Sequence, residues 1–218
     1  MACVCVNDEV IHGIPGKRKI NPDDLVGIDV GLQLDGWCGD VATSLVVSDS
    51  NEKLRRDPVG LNRAKEAHAL IADTRRVLQT ALNMARPGVM WSSIGLEMER
   101  LTHQLGRGII TQYVGHGIGR QLHEPPKVPA YWSGFEGPDF CLQQGMVLAV
   151  EPILTVVPPR NQHSDPQKRP YKAQIKLNAD GWTIQTADGQ LACHEERVIV
   201  IHKTGARLLS GSLPGSSS

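Results

Sequence analysis

The dipeptide Asp35-Gly36, set between two runs of largely apolar residues, constrains this 218-residue chain more than any other feature. Asp-Gly favours a two-residue hairpin turn in which both central residues take positive φ. The flanking runs, 25–33 and 37–47, become the arms of one antiparallel hairpin in which paired residues sum to 71. Asp40 then faces Gly31, and Asp29 lies two residues from Gly31 on the same side. The two carboxylates become diagonal neighbours roughly 7–8 Å apart at the backbone. Side chains starting there can converge on ions about 3.5–4 Å apart. Their neighbours Ile28, Val30 and Val41 are apolar, so two bare like charges require something positive between them. The competing reading is that both acids face water, as Asp usually does.

Further along, the chain supplies more candidates of the same chemistry. His116 lies in YVGHGIGR (113–120), where glycines on both sides let backbone approach closely and hold the ring in a rigid setting. His123 follows in LHEP (122–125). Glu151 ends the apolar run 146–150 and precedes Pro152; a carboxylate in that position is costly to bury unless paired or metal-bound. Glu195 precedes the strand-like run 197–201, and its neighbour Glu196 leaves the choice between them open on pattern alone. Four carboxylates and one imidazole make a hard, oxygen-rich set whose charge balances two divalent ions, with Mn, Fe, Co and Zn all suitable.

These candidates sit in a pattern of strands, then helices, then strands, which implies an α+β domain. Strands are expected at 3–11, 109–114, 146–151, 172–177 and 197–202 besides the hairpin arms. Apolar or small residues at 67, 71, 74, 78, 81 and 85 mark one face of a helix over 60–85, stopped by Pro87-Gly88. A second helix starts near Ser92, with Ile94, Met98, Leu101 and Leu105 on one side, and ends at Gly106. The segments 48–58 and 157–170 read as loops, and the residues after 203 as a disordered tail.

Composition narrows the class. Lys plus Arg and Asp plus Glu each number 23, which argues against a nucleic acid or anionic membrane held by bulk charge. No apolar run approaches the length of a membrane span, and the first twelve residues lack the pattern of a secretory signal. Five cysteines, odd in number and without a CxxC pair, point to a reducing cytoplasm rather than a disulfide framework.

The ordered series Asp29 in GIDVG, Asp40 in CGD, His116 in GHGIGR, Glu151 in VEP, and Glu195 resembles the ligand series of the pita-bread metallopeptidases. Within that group, VNDEVIHGIP (6–15), DGWCGD (35–40), GHGIGRQLHEPP (115–126), LAVEPIL (148–154) and DGWTIQTADGQLACHEE (180–196) are similar to type 1 methionine aminopeptidases, in register over 3–201. The resemblance implies a curved antiparallel sheet with helices on its outer face. It implies one catalytic domain over 1–203, starting inside the family's N-terminal region, with that region's helices missing and an apolar sheet face left without cover.

The implied activity is metal-dependent removal of the N-terminal methionine by attack of a metal-bound hydroxide, on nascent polypeptide N-termini in the cytoplasm. It leaves the ribosome open as a partner. Two divalent ions are implied, with Asp29 holding one, Asp40 and Glu195 bridging both, and His116 and Glu151 holding the other. Glu151 also moves a proton, His123 and His12 contact the substrate, and Cys3, Leu122 and Trp182 line the methionine pocket. Glu196-Arg197 stands where the family has His-Thr after its last ligand. Two alternatives compete: an X-Pro-cleaving relative such as a prolidase, and a non-catalytic relative that keeps the fold as a binding module. Cys3 and Trp182 favour the methionine enzyme.

Overall fold

The computed structural model describes residues 2–47, 58–161 and 170–211. The chain opens with β1 (Ala2–Val6) and β2 (Glu9–Ile11). The single strand expected at 3–11 is thus broken, because Asn7 adopts a left-handed φ of 64° in an Asn-Asp turn, a conformation Asn tolerates better than most residues. Then come the hairpin arms β3 (Leu25–Leu34) and β4 (Trp37–Val46). Their register pairs Gly31 with Asp40 and Leu25 with Val46, as the Asp-Gly turn requires. Asp35 and Gly36 have φ of 50° and 77°.

Two helices follow, α1 (Pro58–Met84) and α2 (Trp91–Gln104). Ala67, Ile71, Thr74, Leu78, Ala81 and Ala85, the stripe expected from the sequence, are all buried. The end of α1 and the start of α2 are separated by Gly88 at φ 87°, which a side chain would resist. Trp91 is fully buried at the start of α2, its indole N–H donating to Pro129 O at 3.0 Å. A buried side chain of this kind contributes on the order of 1.5–3 kcal/mol.

The remaining strands are short: β5 (Gly108–Ile109), β6 (Gly115–Gly117), β7 (Glu124–Val128), β8 (Val147–Val150), β9 (Ile153–Thr155), β10 (Tyr171–Lys172), β11 (Ile175–Leu177), β12 (Ile184–Thr186), β13 (Ala192–His194), β14 (Glu196–His202) and β15 (Gly205–Leu208). The main sheet runs β1-β3-β4-β14-β8-β6-β7, with β15 added on β14. Every pair in it is antiparallel. β15 corrects the expectation of a disordered tail from residue 204: it pairs with Ile199–His202 of β14, beyond the two residues that β14 pairs with β4. Of the expected loop 48–58, Pro58 belongs to α1 and residues 48–57 lie outside the described residues, as do 162–169 of the expected loop 157–170 and the tail beyond 211.

The main core packs α1 and α2 against Leu148, Val150, Cys193, Ile199 and Ile201. The face of the β3–β4 hairpin turned away from Asp29 and Asp40 is different. Ile28, Leu32 and Leu45 there are 36%, 57% and 43% exposed. Among the described residues, no helix is long and apolar enough to cross a membrane.

Candidate active site

Strand register assembles the acids. Cys3 on β1 pairs with Asp29 on β3, Asp29 with Ala42 on β4, and Ala42 with Glu196 on β14. Directly opposed residues share a face, so Cys3, Asp29 and Glu196 rise from one side of the sheet, joined by Asp40 two residues from Ala42. Across β14, Arg197 pairs with Val150, which brings the next residue, Glu151, alongside Glu196. His116 enters from β6, opposite Ala149 of β8. Asp40, His116 and Glu196 are buried, and one potential ligand atom from each lies within 4.8 Å of the others.

The backbone around His116 leaves no room for side chains. A Cβ on Gly115 would meet Ala149 O at 2.3 Å, and one on Gly117 would meet Pro125 O at 2.3 Å. The imidazole Nδ1 lies 2.9 Å from Gly117 O. A carbonyl only accepts, so in the neutral ring Nδ1 carries the proton and Nε2 presents its lone pair. That lone pair faces Glu151, with Nε2 3.6 Å from Oε1.

The electrostatics call for a cation. Burial, then the charges of Asp29 and Glu151, push the Asp40 carboxyl up to about 6. Burial, then Glu151, Asp40 and Asp29, raise Glu196 well above the usual carboxylate range. Buried carboxylates raise one another in this way where the positive charge nearby is outweighed, and an oriented imidazole lone pair among them completes a donor set suited to divalent metals. The residues therefore fit the metal that the resemblance implies.

One expected ligand is displaced by a single position. Glu195 does not face the cluster. Its Oε1 accepts from Arg75 Nε of α1 at 3.0 Å and from the Ser44 N–H at 3.1 Å, and its Oε2 accepts from Thr43 Oγ1 at 3.4 Å. Glu196 takes its place. Alternation explains the exchange: Cys193, Ile199 and Ile201 face the helix-backed core, as Glu195 does, while Val198 packs with Ile118, Ala149 and Leu122 beneath the cavity, as Glu196 points. The pair following Glu196 is Arg197-Val198. Arg197 is buried and donates from Nη1 to Ala42 O at 2.8 Å and Glu196 O at 2.6 Å.

His194, which the sequence reading passed over, shares the face of Glu196. It is buried, with Nε2 3.3 Å from Glu151 Oε2. Burial alone would lower its pKa, but the carboxylates of Glu151, Asp29 and Asp40 outweigh that and raise it.

Above the acids lies a cavity of about 640 Å³ lined in part by Cys3, His12, Asp29, Asp40, Leu122, His123 and Trp182. All the residues expected to touch substrate border it. His12, at φ 61°, stacks on Trp182 with ring centroids 5.6 Å apart and meets Tyr113 edge-on at 5.7 Å. His123 stands edge-on to His116, centroids 4.3 Å apart. Burial and the nearby Asp29 raise the Cys3 thiol, which keeps it neutral. Arg120 fastens the rim: its guanidinium lies 3.8 Å over the Trp37 ring and donates to Asp35 O and Gly36 O at 3.2 Å.

Such a row of acids on a curled antiparallel sheet defines a class, and the match is direct: residues 1–203 fit metallopeptidase family M24, to which this chain belongs. It is 34% identical to methionine aminopeptidase 1 of Bacillus subtilis over 95% of this chain and 72% of that protein. With the methionine aminopeptidase of Treponema pallidum the identity is 32%, over 96% of this chain and 71% of that one. The solved methionine aminopeptidase of Thermotoga maritima superposes with a TM-score of 0.77 at 33% identity, over 97% of this chain and 74% of that one. The prolidase of Pyrococcus horikoshii shares the fold, with a TM-score of 0.67, but is 21% identical and matched over 48% of its length. Within the family, the chain stands with the methionine aminopeptidases and has their pita-bread fold.

Proposed function

We propose that this chain removes the N-terminal methionine from peptides and nascent polypeptides in the cytosol, using two divalent ions. The observation that carries the reading is the meeting of Asp29, Asp40, His116, Glu151 and Glu196 at the base of a cavity walled by Cys3, Leu122 and Trp182. Asp29, Asp40, His116, Glu151 and Glu196 would hold the ions, with Asp40 and Glu196 at the centre of the set. When bound, the ions supply Lewis acidity, which polarises the scissile carbonyl and makes a nucleophile available near neutral pH.

The chain's own groups do the rest. Glu151 holds and moves a proton. His123 and His12 orient the substrate and donate to its carbonyl oxygen. Cys3, as a neutral thiol, offers with Leu122 and Trp182 a soft, apolar wall suited to a thioether. The identity of 33–34% to methionine aminopeptidases over 72–74% of their length, against 21% to the prolidase over 48% of its length, supports methionine over X-Pro specificity.

The test pairs metal content with peptide assays after loading with Mn, Fe, Co or Zn. Two ions per chain and release of methionine from Met-Ala or Met-Gly peptides are expected. Cleavage of X-Pro peptides with Met-Ala untouched would move the chain to the prolidase reading. A chain that takes up no ions would be a binding module.

A further inference from the structure

His194 has no role in the site as described so far, yet its position is specific. It sits on β13, where it pairs with Ile153 of β9, two residues beyond Glu151. Ser44 Oγ donates to its carbonyl at 2.9 Å, so its backbone is held from both sides. The imidazole is buried, and Nε2 stands 3.3 Å from Glu151 Oε2 without a well-aligned hydrogen bond. A buried ring nitrogen with unspent hydrogen-bonding capacity is costly to leave in place. It points at the carboxylate whose other oxygen, Oε1, faces His116 Nε2 at 3.6 Å. Glu151 is thus bracketed by two imidazoles, one on each oxygen.

We infer that His194 is a positioning residue for Glu151. Its Nε2–H donates to Oε2 and fixes the carboxylate plane, so that Oε1 is presented toward His116 and the ion site. Such a partner limits rotation of a carboxylate that would otherwise be free to turn in the cavity floor. Groups that orient ligands from behind in this way typically change metal affinity or activity by about 10–100-fold when removed. The inference rests on the proposed function only in taking Glu151 as a ligand.

The experiment measures Mn²⁺ affinity by calorimetry, and kcat and KM separately on a Met-Ala peptide, for the wild type and three variants. His194→Gln keeps an N–H donor close to the Nε2 position, His194→Leu removes it, and His194→Asn keeps polarity with the donor out of reach. The expected result is a loss of about 10–100-fold in Mn²⁺ affinity or kcat in the Leu and Asn variants, with KM little changed and Gln restoring most of the loss. If Leu does not fold, Asn decides. Wild-type affinity and kcat in Leu or Asn would overturn the inference. Gln as impaired as Leu would also overturn it, since the imidazole itself would then be needed. Failure of the wild type to bind Mn²⁺ would refute the metal reading and this inference with it, whereas ion binding without methionine release would refute the proposed substrate alone.

Discussion

Glu195 and Glu196 are adjacent, chemically identical and almost equally buried, at 0% and 2% exposure, yet they belong to opposite sides of the molecule. On the helix side, Glu195 meets the Arg75 guanidinium and the Ser44 N–H, and Arg197 stands 3.9 Å away. On the cavity side, Glu196 meets other carboxylates, and its own is raised well above the usual range by burial and by Glu151, Asp40 and Asp29. One acid is satisfied by the fold; the other is held by the fold among like charges, which a proton or a cation would relieve. The difference separates what keeps the sheet together from what the sheet presents.

The largest effect should come from Glu196→Gln. This change keeps the volume but removes a charge from the ion site. We expect loss of at least one ion per chain and a fall in turnover beyond the about 10–100-fold seen when a group that only orients a ligand is removed, with the melting temperature of the metal-free protein kept or raised. Full metal content and turnover in this variant would place the ligand elsewhere.

Glu195→Ala is the counterpart. It leaves Arg75 without its carboxylate, and breaking a buried pair from one side costs about 3–5 kcal/mol. For a domain of this size each kcal/mol shifts the melting temperature by about 2–4 °C, so thermal denaturation should show a large drop while ion content per folded chain holds. Loss of metal with unchanged stability would reverse the assignment of the two glutamates. A smaller effect should follow from loading the wild type. At an ion concentration about 100 times the dissociation constant, binding to the native state adds about 2.7 kcal/mol. A chelator should remove that gain from the wild type and have less effect on Glu196→Gln.

The same pair of residues shows what the sequence made legible. The hairpin register followed from Asp35-Gly36, because a turn that needs two positive φ values leaves one way to pair the arms, and Asp29 and Asp40 came with it. Both sides of β14 carry Val or Ile, so alternation alone did not choose between the glutamates. A signal was nevertheless present. Glu195 shares its side with Arg197, a cation two residues on, while Glu196 shares its side with His194. The break after Val6 was signalled by Asn7-Asp8, a polar pair in an apolar run. Strands of two or three residues, such as β6, β9 and β13, are too short for any period to show, and what defines them is the partner strand.

The join between β4 and β14 is only two residue pairs wide, Glu196 with Ala42 and Arg197 with Val41, and it closes a loop of some 150 residues, the separation of Ser44 and His194. On the proposed reading, a ligand therefore lies in one of the two narrowest seams of the main sheet, the join of β6 and β8 being the other. Release of an ion need not await global unfolding, because parting that seam carries Glu196 away from Asp29 and Asp40. The lifetime of the loaded state then becomes a property of local opening. Hydrogen exchange can read it: the amides of residues 196 and 197 should exchange faster without metal than with it, while those of Ile199 and Ile201 stay protected in both. Equal protection along the whole of β14 in the metal-free protein would mean the seam opens only with the rest of the sheet.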